Sequence, residues 1–224
     1  MEQAVDTRWI AKAAFYELLA KTFSQTTREF AEFVKTGEYA TALEEVATAC
    51  AITPEAIDEA MAALEEAGYE AMDNEELFHH LRRAYTRLFI GGSRPLVSPF
   101  AGVWWAKKQG VGALLMVNKE SLAVEDFMKD CGITKRSNAN EPIDSLNSEL
   151  EFMQYLSSAS ASEGEDGCPA RLCGGKAREA YEDFYDKHLH WFVSNAAEGL
   201  AQHSDCAVYT AASHILGALP KTAL

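Results

Sequence analysis

Histidines, cysteines and one Gly-Gly-Lys run are the residues of this chain with the chemistry to catalyse or to bind metal. His79, His80, His188, His190, His203 and His214 form no HExxH pair and no other recognisable ligand spacing. Cys168 and Cys173 are separated by four residues, within the outer range for zinc, yet no second pair of suitable spacing follows. Gly174-Gly175-Lys176-Ala177 resembles the end of a phosphate loop, but Ala170 stands where the first glycine is needed and Ala177 replaces the magnesium-binding hydroxyl. Neither GxSxG nor GxGxxG occurs. These residues predict no catalytic site, no metal and no cofactor.

What the chain offers instead is apolar. Between Tyr85 and Trp105 runs YTRLFIGGSRPLVSPFAGVWW, in which a helical pattern breaks into a Gly/Pro loop carrying large aromatics. Leu77, Phe78, Leu81, Tyr85, Leu88 and Phe89 recur at three- and four-residue steps and share one helix face. Gly91 and Gly92 can end that helix in a left-handed cap, while Pro95 and Pro99 keep it from resuming. Phe100, Trp104 and Trp105 follow at once. Such rings can be ordinary core. They can also frame a recess that holds another chain's hydrophobic segment.

The elements that must position this segment read as helices almost throughout. Ala11, Phe15, Leu18, Leu19 and Phe23 make a broad buried stripe, and Phe30, Phe33 and Val34 a short second helix ending near Gly37. Thr53-Pro54 starts a third, with Ile57, Met61 and Leu64 facing inward. Val111 to Val117 is ambiguous; Leu122 to Met128 is helical again. Asn140-Glu141-Pro142-Ile143-Asp144 reads as the opening of a helix whose inward face is Leu146, Leu150, Met153 and Leu156, with Asp144 at its positive end. Ser157 to Gly175 reads as a mobile surface loop. A long helix from Tyr181 to Leu200 and a last one from Val208 to Leu219 complete an all-α, multi-helix bundle.

At 224 residues, 48% hydrophobic and 24% charged, the chain is sized for a globular protein with a sizeable core. No apolar run approaches the ~20 residues that span a bilayer, so no stable membrane insertion is expected. The start shows no secretory signal, and five scattered cysteines do not outline a disulfide framework. A cytoplasmic location is the expectation. The balance of 34 acidic against 20 basic residues gives a formal charge of -14. Such a field repels nucleic acid and attracts basic partners, and no local basic patch is evident to reverse it.

Four stretches resemble the TorD/DmsD family of redox-enzyme maturation chaperones, which serve molybdopterin oxidoreductases. FYELLAKTFS (Phe15–Ser24) is similar to the family's N-terminal helix. The segment Tyr85–Trp105 is similar to its YxRLFxGP…PPWxSVY pattern, NEPIDSLNSELEFMQYL (Asn140–Leu156) to its E-P-x-D-H helix, and FYDKHLHWFVSNAAEGL (Phe184–Leu200) to its HLxxWxxxF helix. Four positions depart from the pattern: Ser145 replaces the His after the Asp, Phe100 the Trp of PPW, Ser98 its first Pro, and Gly92 the Pro after Gly.

The resemblance implies a single TorD-like domain over residues 1–224, with helical parts at about 1–137 and 138–224 and a hinge over 131–140. It implies a cytosolic chaperone, not an enzyme, that binds the apo-molybdoenzyme catalytic subunit and its twin-arginine leader until the cofactor is inserted. A homodimer formed by domain swapping across the hinge is part of the same implication. The peptide-binding residues it implies are Tyr85, Leu88, Phe89, Pro99 and Phe100, with Glu141, Pro142 and Asp144 from the second motif; Trp104 joins them because it follows the loop. Two alternatives stay open: a NarJ-like assembly factor that ignores the leader, and a nucleotide-binding helical protein.

Overall fold

Local chemistry sets the helix starts. Asp6 accepts a hydrogen bond from the Arg8 amide at the head of α1 (Thr7–Phe23), and Thr27 accepts one from Phe30 at the head of α2 (Arg28–Lys35). Pro54 opens α4 (Pro54–Ala67), its missing N–H costing nothing at a first turn, and left-handed Gly68 closes it. Asp73 caps α5 (Asn74–Tyr85) through the amides of Glu75 and Glu76. The remaining helices are α3 (Glu38–Ala49), α6 (Ala101–Lys108), α7 (Lys119–Asp130), α8 (Leu146–Ala161), α9 (Lys176–Phe184), α10 (His190–His203) and α11 (Ala207–Gly217). This is a computed structural model, and it describes residues 6–92, 94–110, 119–134, 142–161, 172 and 176–221.

The fold is all-α, as the periodicity predicts. Among the described residues extended pairing is confined to one antiparallel bridge, Phe100 to Ser145. Helix α1 lies along α8, and α4 packs against α11, so the first and last helices share one core. Fully buried Tyr16 and Tyr181 join α1 to α9 through hydroxyls 3.1 Å apart, each satisfying a group that would otherwise be costly to bury. Among the described residues no helix is long and apolar enough to cross a membrane. Cys50, Cys131 and Cys206 are buried.

Several boundaries differ from the sequence reading. The helix over Leu77–Ile90 relaxes into a π turn, Thr86–Ile90, and the long later helix is interrupted by another, Tyr185–Leu189. Helix α3 was not foreseen: its buried residues are only Tyr39, Leu43 and Ala47, a thin stripe among alanines. Ser157–Ala161, expected in a loop, are the last turn of α8. Most of the remaining expected loop, with Cys168 and Cys173, lies outside the described residues, as do Val111 to Val117 and most of the expected hinge.

Candidate functional site: an aromatic recess between two motifs

The segment after the π turn is stitched down at both ends. Gly91 donates to Thr86 O (2.7 Å), Val97 to Leu88 O (2.9 Å), and the Trp104 indole N–H to Ser98 O (2.8 Å). Residues 99–101 then pair with 144–146: Ala101 donates to Asp144 O (3.0 Å) and Leu146 to Pro99 O (2.8 Å). Two stretches distant in sequence thus meet edge to edge. Between them opens a recess of about 170 Å³ walled by Tyr85, Phe89, Pro99 and Phe100.

The structure therefore brings together four of the nine residues expected to bind peptide. Phe23, Ile90 and Leu146 complete the apolar wall, and Ser145 and Asn147 supply its polar edge. Phe23 and Leu146 were legible only as inward helix positions, because nothing local shows which inward residue borders a hollow. Ile90 is 56% exposed, an apolar side chain on the open rim.

The other five lie elsewhere. Leu88 is wholly buried, half-buried Trp104 anchors the loop from below, and Pro142 is outside the lining. Glu141 lies outside the described residues. Asp144 was expected in the first turn of α8, and that placement is corrected. It precedes α8, is 2% exposed, and its Oδ2 accepts from Gly102 N (2.9 Å) at the head of α6 and from Ser121 Oγ (2.7 Å) in α7. The carboxylate does meet a helix's free N–H groups and positive end, but the helix is α6. Ser145, where the resembled family has histidine, caps α8 by accepting from Ser148 N (3.2 Å).

One turn into α8, Glu149 is completely buried and neither carboxylate oxygen has a hydrogen-bond partner among the described residues. Burial first, then the neighbouring Asp144 and Glu120, push its pKa well above the carboxylate range. The folded protein therefore holds a proton that the unfolded chain releases above about pH 4.3, and stability falls as pH rises beyond that value. Glu149→Leu is expected to raise the melting temperature at pH 7 by removing a buried polar group worth about 1–3 kcal/mol. The gain should shrink toward pH 4 in thermal melts; an equal gain at both pH values would contradict the assignment.

A second concavity was not foreseen. The absence of a local basic patch, expected from composition, is corrected by a groove of about 600 Å³ containing Arg82, Arg83, Arg87, Arg94 and His79. A signal was available: no Asp or Glu occurs between Glu76 and Glu120.

A profile described as nitrate reductase delta subunit matches residues 52–198, which span both motifs that build the recess. The chain belongs to the nitrate reductase delta subunit family. Membership agrees with the TorD-type resemblance read from the four stretches. The chaperone protein TorD from two Vibrio cholerae serotype O1 strains, ATCC 39541 / Classical Ogawa 395 / O395 and M66-2, is in each case 27% identical over 152 residues. The match covers 68% of this delta subunit family member and 64% of each relative's length.

Proposed function

We propose that this protein is a cytosolic maturation chaperone, without enzymatic activity, that seats the apolar part of a twin-arginine leader in the recess between Phe100 and Asn147. It holds the apo form of a molybdopterin oxidoreductase until cofactor insertion. The observation that carries this reading is the recess itself, built where two family motifs meet and left with Ile90 open on its rim. The chain's charge of -14 favours approach of a basic leader. On the α8 side of the recess Asn147 donates to the exposed Glu151 (3.2 Å), which offers a leader arginine a carboxylate.

Magnitudes fit a releasable complex. The recess of about 170 Å³ takes one ring or branched side chain and the rim beside Ile90 two or three more, together worth roughly 5–10 kcal/mol, while ordering a flexible peptide costs about 2–5 kcal/mol. With charge attraction the balance approaches micromolar affinity, about -8 kcal/mol. Fluorescence titration of a labelled leader tests the reading. Ile90→Asp should weaken binding about tenfold or more while leaving the melting temperature unchanged, since Ile90 is exposed. Unchanged leader affinity in that variant rejects the recess as the seat. The family's delta-subunit description favours one competitor, an assembly factor that ignores the leader; a leaderless client that binds as well as the full one would establish it.

A further inference from the structure

The arginine groove asks for a different ligand. Helix α5 contributes His79, Arg82 and Arg83, the π turn contributes Arg87, and the following loop contributes Arg94. Arg87 is spoken for, donating to Asp205 and to His203 O. Arg82, Arg83 and Arg94 are exposed and make no ion pair with any described residue, although acids outnumber bases 34 to 20 in the chain. Glu75 approaches His79 at 3.8 Å, but two hydrogen bonds from Arg28 hold it (2.7 and 3.0 Å). Like charges gathered without neutralisation raise the local potential and cost stability, and the acids that could relieve them are placed elsewhere.

We propose that this groove docks an acidic segment of a partner polypeptide that carries apolar side chains among its carboxylates. Guanidinium groups match carboxylates in a fork geometry that lysines lack, and the groove holds four arginines and no lysine. Leu96, 44% exposed, lies in its lining, giving the segment's apolar side chains a contact. Ile90 and Gly91 join the groove to the recess, so one partner can cover both. Nucleic acid is disfavoured because a few arginines are opposed by the field of a chain at -14. A second copy is disfavoured because a groove seated on a different surface of its twin makes a heterologous contact, which must close into a ring or run on as a filament, whereas a two-fold dimer is the commonest homo-oligomer. The site is separate from the leader seat, since a basic leader is repelled there.

A fluorescein-labelled peptide of repeated Glu-Glu-Leu units is the probe. It should bind the whole protein with an affinity that falls as salt rises, and Arg83→Glu with Arg94→Glu should weaken it at least tenfold at an unchanged melting temperature. The same double variant should keep or improve leader binding, whereas Ile90→Asp impairs the leader, so failure of one site is distinguishable from failure of the other. Unchanged affinity in the double variant overturns the proposal. So does equal binding of a Lys-Lys-Leu peptide, or tighter binding of a short DNA duplex. Displacement by inorganic phosphate at low millimolar concentration would point to a small anion instead, and self-association abolished by the double variant would point to a second copy; either result also overturns it.

Discussion

Asp144→Ala is expected to cost about 3–5 kcal/mol and to lower the melting temperature by roughly 10 °C. The carboxylate is buried, and its Oδ2 receives both the Gly102 amide and the Ser121 hydroxyl. Removing it takes from the Gly102 amide and the Ser121 hydroxyl the buried acceptor they share, each such loss worth about 1–3 kcal/mol, and takes a negative charge from the head of α6. Asp144→Asn keeps an acceptor oxygen without the charge, so its loss should be smaller. Because Asp144 O and the adjacent Ser145 also pair with residues 100 and 101, the alanine variant should bind leader more weakly even far below its melting point. A differential scan showing the alanine variant within about 2 °C of the parent would rule out this bracing role.

The second large effect is expected from a single methyl group. Gly91 has φ 64° and ψ -173°, a conformation almost reserved for glycine. A Cβ there would lie 2.2 Å from Arg94 O, 2.6 Å from Arg94 C and 2.8 Å from Pro95 N. All three are backbone atoms, so the loop between Gly91 and Leu96 must open to admit it. Gly91→Ala should therefore cost about 2–4 kcal/mol and disturb both recess and groove, which share this turn. Gly92→Ala is the matched control: a Cβ at Gly92 meets nothing within 4 Å. Equal thermal stability of the two variants would show that the tight turn is not needed. The contrast also makes sense of position 92, where the resembled family carries proline: only Gly91 has to be glycine.

Helix positions were legible wherever apolar residues made a dense stripe, as in α1, α5 and α8, because 3.6-residue periodicity is a property of the local chain. Helix α3 escaped because Tyr39, Leu43 and Ala47 bury through partners in α1 and α2 that no local window contains. The two π turns were not legible either, since Leu88 and Leu189 keep a helical spacing across them. Asp144 shows the deeper limit. A carboxylate before a helix reads as that helix's cap, yet a helix end accepts any carboxylate delivered to it, and here the chain delivers Asp144 to α6.

The sequence by itself determined that the protein is helical, that it lacks a recognisable catalytic motif, and that its unusual chemistry is aromatic and concentrated between Tyr85 and Trp105. Only the tertiary structure decided that Tyr85, Phe89, Pro99 and Phe100 share a hollow with Phe23 and Asn147, while Leu88 and Trp104 support it from behind. It alone decided that the four arginines of residues 82–94, a cluster the acid-free stretch only hinted at, line one groove. Periodicity and motif are written within one helical stretch, whereas a concavity exists only where separate stretches pack and leave a gap, and which residues border that gap depends on packing across the whole core.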